Sequence, residues 1–523
     1  AYPPDRPGTY LVQLHGPMLP TWREALEVQG VLLLDYVPEL AYLARMDSVQ
    51  ADRVRDLPFV RWVGLFQPAY KLHPSLLSAS GTLTLTVELV PGTSKDRQPL
   101  RKELGRSKVD ILSPGGGWKA LGEARYLRLR TDREVLPGLL ALPEIVWVEP
   151  YRAPRLLNDV ARSDAIMRVE QVWRDLGLYG SGQVLAVADT GLDTGRPFDL
   201  SLDFRGRVVA TFAPLRPGNW SDDEGHGTHV AGSAVGGGVL SGARPGDHEY
   251  EGSFAGVAPE AGVVVQCLLN PYGTFEVPGN LIEAVFQPAY DAGARVHNDS
   301  WGKAGNEYDA LFARQMDEFV WRNPEMLFVV AAGNDGRDAD RNGVVDLRSL
   351  NSPGTAKNCL TVGASESYRV SGFRRFTEWT YGLWGDRFPV PPIQDDLMAD
   401  DPSGMMAFSS RGPAPDGRLK PDLVAPGTWI CSARSHDPDA QYAYGYYNAD
   451  YAYSVGTSMA APLVSGAALL VREWLVENQG VPAPSAALVK ALLINGARDL
   501  APGQYGNGAY REVSGRPDVV QGW

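Results

Sequence analysis

The run Gln183-Val184-Leu185-Ala186-Val187-Ala188-Asp189-Thr190-Gly191 decides the fold. Five apolar residues in a row end on a carboxylate and a turn-forming Thr-Gly. A strand with one wet face alternates apolar and polar, so an unbroken apolar run predicts a strand covered on both sides. The pattern returns in AGVVVQCLL (261–269), ARVHNDSWG (294–302), LFVVAAGN (327–334) and CLTVGAS (359–365), each bounded by Gly, Asn, Asp or Pro. Amphipathic stretches, NLIEAVFQPAYDAGA (280–294) and EYDALFARQMDEFVWRN (307–323), lie between the runs. Strand-helix alternation of this kind predicts an α/β fold with a mostly parallel sheet. In such sheets the working side chains gather at the carboxyl ends of the strands, where Asp189, Ser300 and Asn334 fall.

The whole chain has 523 residues, too many for one ordinary domain, so two or three globular units are expected. Its net charge of −13 argues against a nucleic-acid partner, because phosphate binding needs clustered excess cation. No uninterrupted apolar run reaches the roughly eighteen residues of a membrane span, and mean hydropathy is −0.20; a soluble monomer without membrane contact is expected. Cys267, Cys359 and Cys431 are far apart, lack C-x-x-C spacing and sit in or beside apolar stretches, which predicts core cysteines. The chain starts at Ala1 with no Met and no charged-then-apolar leader, as a secreted protein does after signal-peptide removal.

Residues 1–157 carry no catalytic pattern but show internal similarity. Tyr42-Leu43-Ala44-Arg45 followed by Leu57-Pro58-Phe59-Val60-Arg61-Trp62-Val63 returns as Tyr126-Leu127-Arg128-Leu129 followed by Leu142-Pro143-Glu144-Ile145-Val146-Trp147-Val148, at offsets of 84 and 85 residues. Two tandem α+β units, about 1–78 and 79–157, are expected ahead of a unit at 158–523.

Amide hydrolysis requires a nucleophile, a base, a group that orients the base, and donors for the oxyanion. Ser458, in Gly456-Thr457-Ser458-Met459-Ala460-Ala461-Pro462, opens an apolar helical stretch, where unpaired N–H groups favour negative charge. His226, in His226-Gly227-Thr228-His229-Val230-Ala231-Gly232, is the base candidate; His229 lacks the metal-binding H-E-x-x-H context and reads as structural. Asp189 is the orienting acid, with the nearby Asp193 read as a turn residue.

The ordered set AVADTGLDTG, HGTHVAG, NDSWG, VVAAGN, SSRGP, KPDLVAPG and GTSMAAP resembles the subtilisin family, and the stretch from Asn158 is similar to its oxidatively stable alkaline protease branch. The resemblance implies a three-layer subtilisin-like α/β fold and a serine endopeptidase that acts on extended polypeptides without an organic cofactor. It implies that Asn334 is the side-chain oxyanion donor. Ser300-Trp301-Gly302 and Ala331-Ala332-Gly333 then bracket the substrate's P1 residue, and Leu268, with Leu269 and Gly273, falls in a third lining segment. It also gives residues 1–157 the role of a ferredoxin-like prodomain that assists folding and inhibits. Cleavage would fall between Leu157 and Asn158, with Leu157 as an apolar P1. Gln521-Gly522-Trp523 resembles the middle of a family segment that continues into a β-rich domain, so truncation or processing is expected. A catalytically inactive binding protein of the same fold is the alternative, opposed by the retained Asp189, His226, Ser458 and Asn334.

Two departures from the family pattern stand out. The loop after Asn334 contains Asp338-x-Asp340-x-Asn342-Gly343-Val344-x-Asp346, alternate oxygens about a Gly turn, which fits a calcium ligand set with Val344 offering its carbonyl. Its twelfth position is Ser349 instead of Glu, which predicts modest affinity. Asp299, where an uncharged residue is usual, is expected to face outward.

Overall fold

The computed structural model describes residues 7–37, 39–72, 76–90, 98–106, 109–112, 126–150, 159–309, 311–369 and 379–523. The chain divides into two compact units, Ala1–Pro154 and Arg155–Trp523.

In the first unit, β1 (Gly8–Leu14), β2 (Leu32–Val37), β3 (Ala41–Met46) and β4 (Val60–Leu65) form an antiparallel sheet ordered β2-β3-β1-β4. A second sheet, β6-β7-β5-β8, is built from β5 (Thr82–Leu89), β6 (Asp110–Ile111), β7 (Tyr126–Asp132) and β8 (Ile145–Pro150). Helices Pro20–Val28 and Ser48–Arg55 interrupt the first set at the points where Gln98–Arg106 and Leu136–Leu140 interrupt the second, giving two βαββαβ units. Tyr42 and Tyr126 therefore sit in β3 and β7, and the repeated Trp62 and Trp147 in β4 and β8. Even the irregularity is shared: pairing shifts at Gln13/Leu14 of β1 and at Glu88/Leu89 of β5. Each half has its own core, one around Val12, Leu26 and Val54, the other around Leu85, Leu100 and Leu136.

The second unit is built on seven parallel strands in the order β10-β11-β9-β12-β13-β14-β15. They are β9 (Val184–Asp189), β10 (Val208–Phe212), β11 (Gly262–Cys267), β12 (Val296–Asp299), β13 (Leu327–Ala331), β14 (Leu360–Ser365) and β15 (Leu423–Pro426). The unbroken apolar runs follow from burial on both faces. Leu185 and Val187 of β9 join one core with Val230, Ala231, Ala460 and Leu463, while Ala186 and Ala188 join another with Phe286, Met316 and Phe319. Helices His226–Val235 and Thr457–Glu473 thus cover one face, and Gln287–Asp291 with Ala313–Arg322 the other. A hairpin of β16 (Ile430–Ala433) and β17 (Tyr451–Ser454) completes the unit.

The helix Thr457–Asn478, counted with its final π turn, averages a hydropathy of 1.4 over an 18-residue window, enough by composition to span a bilayer; 78% of that window is buried inside the protein. Counting only uninterrupted apolar residues missed it, because Ser, Gly and Thr break the run without lowering the mean. Cys267, Cys359 and Cys431 are free and buried.

Candidate active site

β9 ends on Asp189, which is 1% exposed. His226 is the first residue of its helix, and its Nδ1 lies 2.7 Å from Asp189 Oδ1, which also accepts the Thr190 N–H at 2.8 Å. With Nδ1–H engaged by the carboxylate, Nε2 is the lone-pair nitrogen that can take a proton. Burial alone would lower the imidazole's pKa; the Asp189 charge and hydrogen bond, with Asp222 and Glu224 behind them, raise it to about 9. Gly225, just before His226, holds φ 95°, and a Cβ there would approach the Tyr442 ring to 2.6 Å.

The start of this helix is tied to the β9 exit by Asp222. Its buried carboxylate accepts from Thr190 Oγ1 (2.7 Å), Gly225 N (2.7 Å), Thr228 N (2.7 Å) and Thr228 Oγ1 (2.6 Å). Sequence reasoning passed over it, although an acid a few residues ahead of a helical run is a recognisable start signal. Asp193 is a turn residue with φ 47°, and it is also fully buried, its carboxylate 3.0 Å from His436 Nδ1. His229 is buried and lies 3.1 Å from the Ile430 carbonyl, and burial pushes it down to about 4.

Ser458 is the second residue of helix Thr457–Glu473. Its Oγ donates to the Ser300 carbonyl at 2.9 Å and not to His226. Its N–H belongs to the first helical turn, which has no intrahelical acceptor. Asn334 Oδ1 accepts the Thr457 N–H (2.9 Å) and hydroxyl (3.1 Å), which fixes the amide and leaves Nδ2 to donate outward. The Asn334 side chain and the helix start are thereby locked together at the carboxyl ends of the central strands.

The two bracketing segments differ. Ala331-Ala332-Gly333 is consumed internally: Ala332 N donates to Val362 O, Ala332 O accepts from Asn351 N, Gly333 N donates to Thr457 Oγ1, and Gly333 O accepts from Ser410 N. In Ser300-Trp301-Gly302, the Trp301 indole donates to Ala188 O at 3.0 Å, while among the described residues the Gly302 main chain has no hydrogen-bond partner. One segment is a fixed wall, while the other leaves the Gly302 main chain without a partner among the described residues. Leu268 does not line this cleft: it is fully buried, its N–H donates to Asp189 O and its carbonyl accepts from Glu276 N.

A family model described as "Subtilase family" matches residues 180–511. The chain belongs to the subtilase family. A second model, a domain of unknown function, matches residues 3–67. The subtilase is 28% identical over 89% of its length to the serine protease/ABC transporter B family protein tagD of Dictyostelium discoideum, and 27% over 94% to tagB of the same organism. It spans 30% of the length of each of these relatives. With the serine protease AprX of Bacillus subtilis it shares 29% identity, covering 70% of this chain and 73% of that protein. Among solved structures, fervidolysin from Fervidobacterium pennivorans, a keratinolytic enzyme related to subtilisin, aligns at 21% identity and TM-score 0.45, covering 99% of this chain and 59% of that one.

In the loop after Asn334, Asp338 is buried and accepts from Asn342 N (2.9 Å) and Gly343 N (3.0 Å). Asn342 Nδ2 donates to Asp340 Oδ2 (2.9 Å), Val344 N to Asn342 Oδ1 (2.8 Å) and Ala339 N to Asp346 Oδ2 (3.0 Å). Among the described residues no three His, Cys, Asp or Glu converge as a ligand set. Asp299 does not face outward. Mid-sheet β12 is covered on both sides, so the carboxylate is fully buried and meets His297 Nδ1 at 3.1 Å, whose Nε2 lies 2.9 Å from Gln266 Oε1. The expected processing site, Leu157 and Asn158, lies outside the described residues.

Proposed function

We propose that this subtilase is a secreted serine endopeptidase that hydrolyses extended polypeptides through Ser458, His226 and Asp189. The observation that carries the reading is the 2.7 Å Asp189–His226 contact at a carboxyl-end cleft shared with Asn334 and the Ser458 helix start. Ser458 Oγ swings from Ser300 O to His226 Nε2, gives up its proton and attacks the scissile carbonyl. The oxyanion accepts from Ser458 N–H and Asn334 Nδ2. His226 then protonates the leaving amine, and water repeats the sequence to release the acyl group. The peptide pairs along the Gly302 edge as an added strand.

Residues 1–157 serve as prodomain, removed by the enzyme's own cleavage at Leu157–Asn158. Two independently cored βαββαβ units ahead of the catalytic unit support this assignment. Placement in the oxidatively stable branch is consistent with Met459, the nucleophile's neighbour, being 1% exposed and shielded from peroxide. Although the carboxylates do not converge on one point in the loop as it stands, Asp338, Asp340, Asn342, Asp346 and the Val344 carbonyl would hold a structural calcium. All donors are hard oxygens, and among the described residues no cationic side chain pairs with the buried Asp338.

Hydrolysis of a peptide substrate, lost on Ser458→Ala and on treatment with a phosphonyl fluoride, tests the activity. A Ser458→Ala chain that still sheds residues 1–157 would rule out self-processing.

A further inference from the structure

A cavity of about 310 Å³ is lined by Ala304, Gly305, Asn306, Asp335, Arg337, Arg348, Ser349 and Arg387. Its walls continue both substrate segments: Ala304 to Asn306 follow Gly302 by two residues, and Asp335 to Arg337 follow Asn334 directly. Arg387 fixes the junction, its guanidinium donating to the Asn334 carbonyl and, at 2.9 Å, to Gly336 O, while its plane sits 4.5 Å from the Phe408 ring. The cavity thus adjoins the chain that leaves both segments.

The charge of the cavity is one-sided. Three arginines and one aspartate line it, and among the described residues the Arg337 and Arg348 side chains have neither a hydrogen bond nor an ion pair. Burial lowers the Arg387 pKa; the Asp335 charge opposes that and the Arg337 charge adds to it. Arg337 and Arg348 are exposed and Arg387 is partly buried; two guanidinium forks without a protein partner among the described residues, beside a third cation, suit a carboxylate that they can grip bidentately. Phosphate would fit the charge, but a peptide placed in the cleft brings only its own side chains.

We propose that this cavity receives the P1 side chain and selects an acidic one, so that the enzyme cleaves after glutamate. The assignment rests on the peptidase reading above. It departs from the apolar preference that Leu157 implies. Cleavage after Leu157 is intramolecular, and the high effective concentration of a tethered substrate tolerates a residue the cavity does not favour.

The test is a peptide series differing only at P1, with Glu, Gln, Leu and Arg, assayed on the processed enzyme. Glu over Gln isolates the charge at constant shape. A ratio in kcat/KM of about 10- to 100-fold is expected from charge-assisted hydrogen bonds, shrinking toward one in Arg337→Gln and Arg348→Gln and growing in Asp335→Asn. A wild-type ratio at or below one, a preference for Leu, or a ratio indifferent to the arginine variants overturns the proposal. If none of the four peptides is cut and a phosphonyl fluoride fails to label Ser458, the peptidase reading itself has failed.

Discussion

Ser300 and Ser458 exchange two hydrogen bonds, Ser300 Oγ to Ser458 O and Ser458 Oγ to Ser300 O, each 2.9 Å. The first bond has a cause in the sequence. Pro462 stands four residues after Ser458 and has no N–H, so the Ser458 carbonyl loses its helical donor and the Ser300 hydroxyl replaces it. Ser300→Ala therefore leaves a carbonyl without a partner, with an expected loss of about 1–3 kcal/mol in denaturant unfolding. Adding Pro462→Ala restores an N–H at that position. The double variant should recover part of the loss, a non-additivity that a double-mutant cycle measures; strict additivity would refute the link.

Asn334 is positioned by Thr457, and on the proposed mechanism it would touch the developing oxyanion only through Nδ2. Asn334→Leu should lower kcat by about 10²–10³ with KM nearly unchanged, the size of effect known for the corresponding donor in subtilisin, the family's namesake. A change confined to KM would assign Asn334 to ground-state binding instead.

Local chemistry explains which parts of this site were legible. Asp189, Ser300 and Asn334 could be read because a parallel sheet sends strand ends to one edge, so five apolar runs located the site before any contact was known. β10 was missed because at the sheet's margin Val209 is 50% exposed and the apolar pattern is diluted, and β15 because only four residues of KPDLVAPG are strand. Asp299 misled because a charge in sequence suggests water, whereas the compensating His297 sits two residues away on the same strand face. Asp222's hold on Gly225 and Thr228 follows the helix-start pattern, but its bond to Thr190 and the Asp193–His436 pair join distant loops, which no spacing rule encodes.

The raised His226 pKa fixes the pH dependence. Only the neutral imidazole accepts the Ser458 proton, so kcat/KM should climb about tenfold per pH unit until near the group's value of about 9, giving an alkaline plateau. Asp189→Asn removes the charge that raises it, so the rise should move to lower pH while kcat falls on the order of 10⁴. Stability runs the other way. A histidine that holds its proton more tightly when folded stabilises fully below about 6.5 and loses that contribution as pH rises through about 9. Thermal unfolding at pH 6 and pH 10, compared between wild type and His226→Ala, reads this term.

Lys420 and Lys490 converge on Asp422, at 2.6 and 2.7 Å, in the buried part of KPDLVAPG. Burial would raise the Asp422 carboxyl, but the two ammonium charges hold it below its usual value. The same carboxylate accepts the Thr361 N–H at 2.7 Å, joining β14 to the strand beside it. Asp422→Ala strands a fully enclosed lysine and should cost about 3–5 kcal/mol. A loss below 1 kcal/mol would mean that water reaches Lys420.

Calcium gives the last test. The loop is turned by Gly343 at φ 81° and by Arg341 at φ 60°, and its carboxylates already hold loop amides. A cation would take the remaining lone pairs of Asp338, Asp340 and Asp346, and Ser349 in place of a bidentate glutamate weakens the grip. The expected result is a lower Tm in chelator that millimolar calcium restores, by RT ln(1 + [Ca]/Kd). Magnesium should substitute poorly, because it demands octahedral geometry and retains its waters. Asp340→Ala should abolish the calcium response with the triad intact, so that peptide hydrolysis persists at a temperature where the variant is folded. A wild-type Tm indifferent to chelator, or a calcium response retained in Asp340→Ala, removes the ion from this loop and leaves its turns to the Asx hydrogen bonds alone.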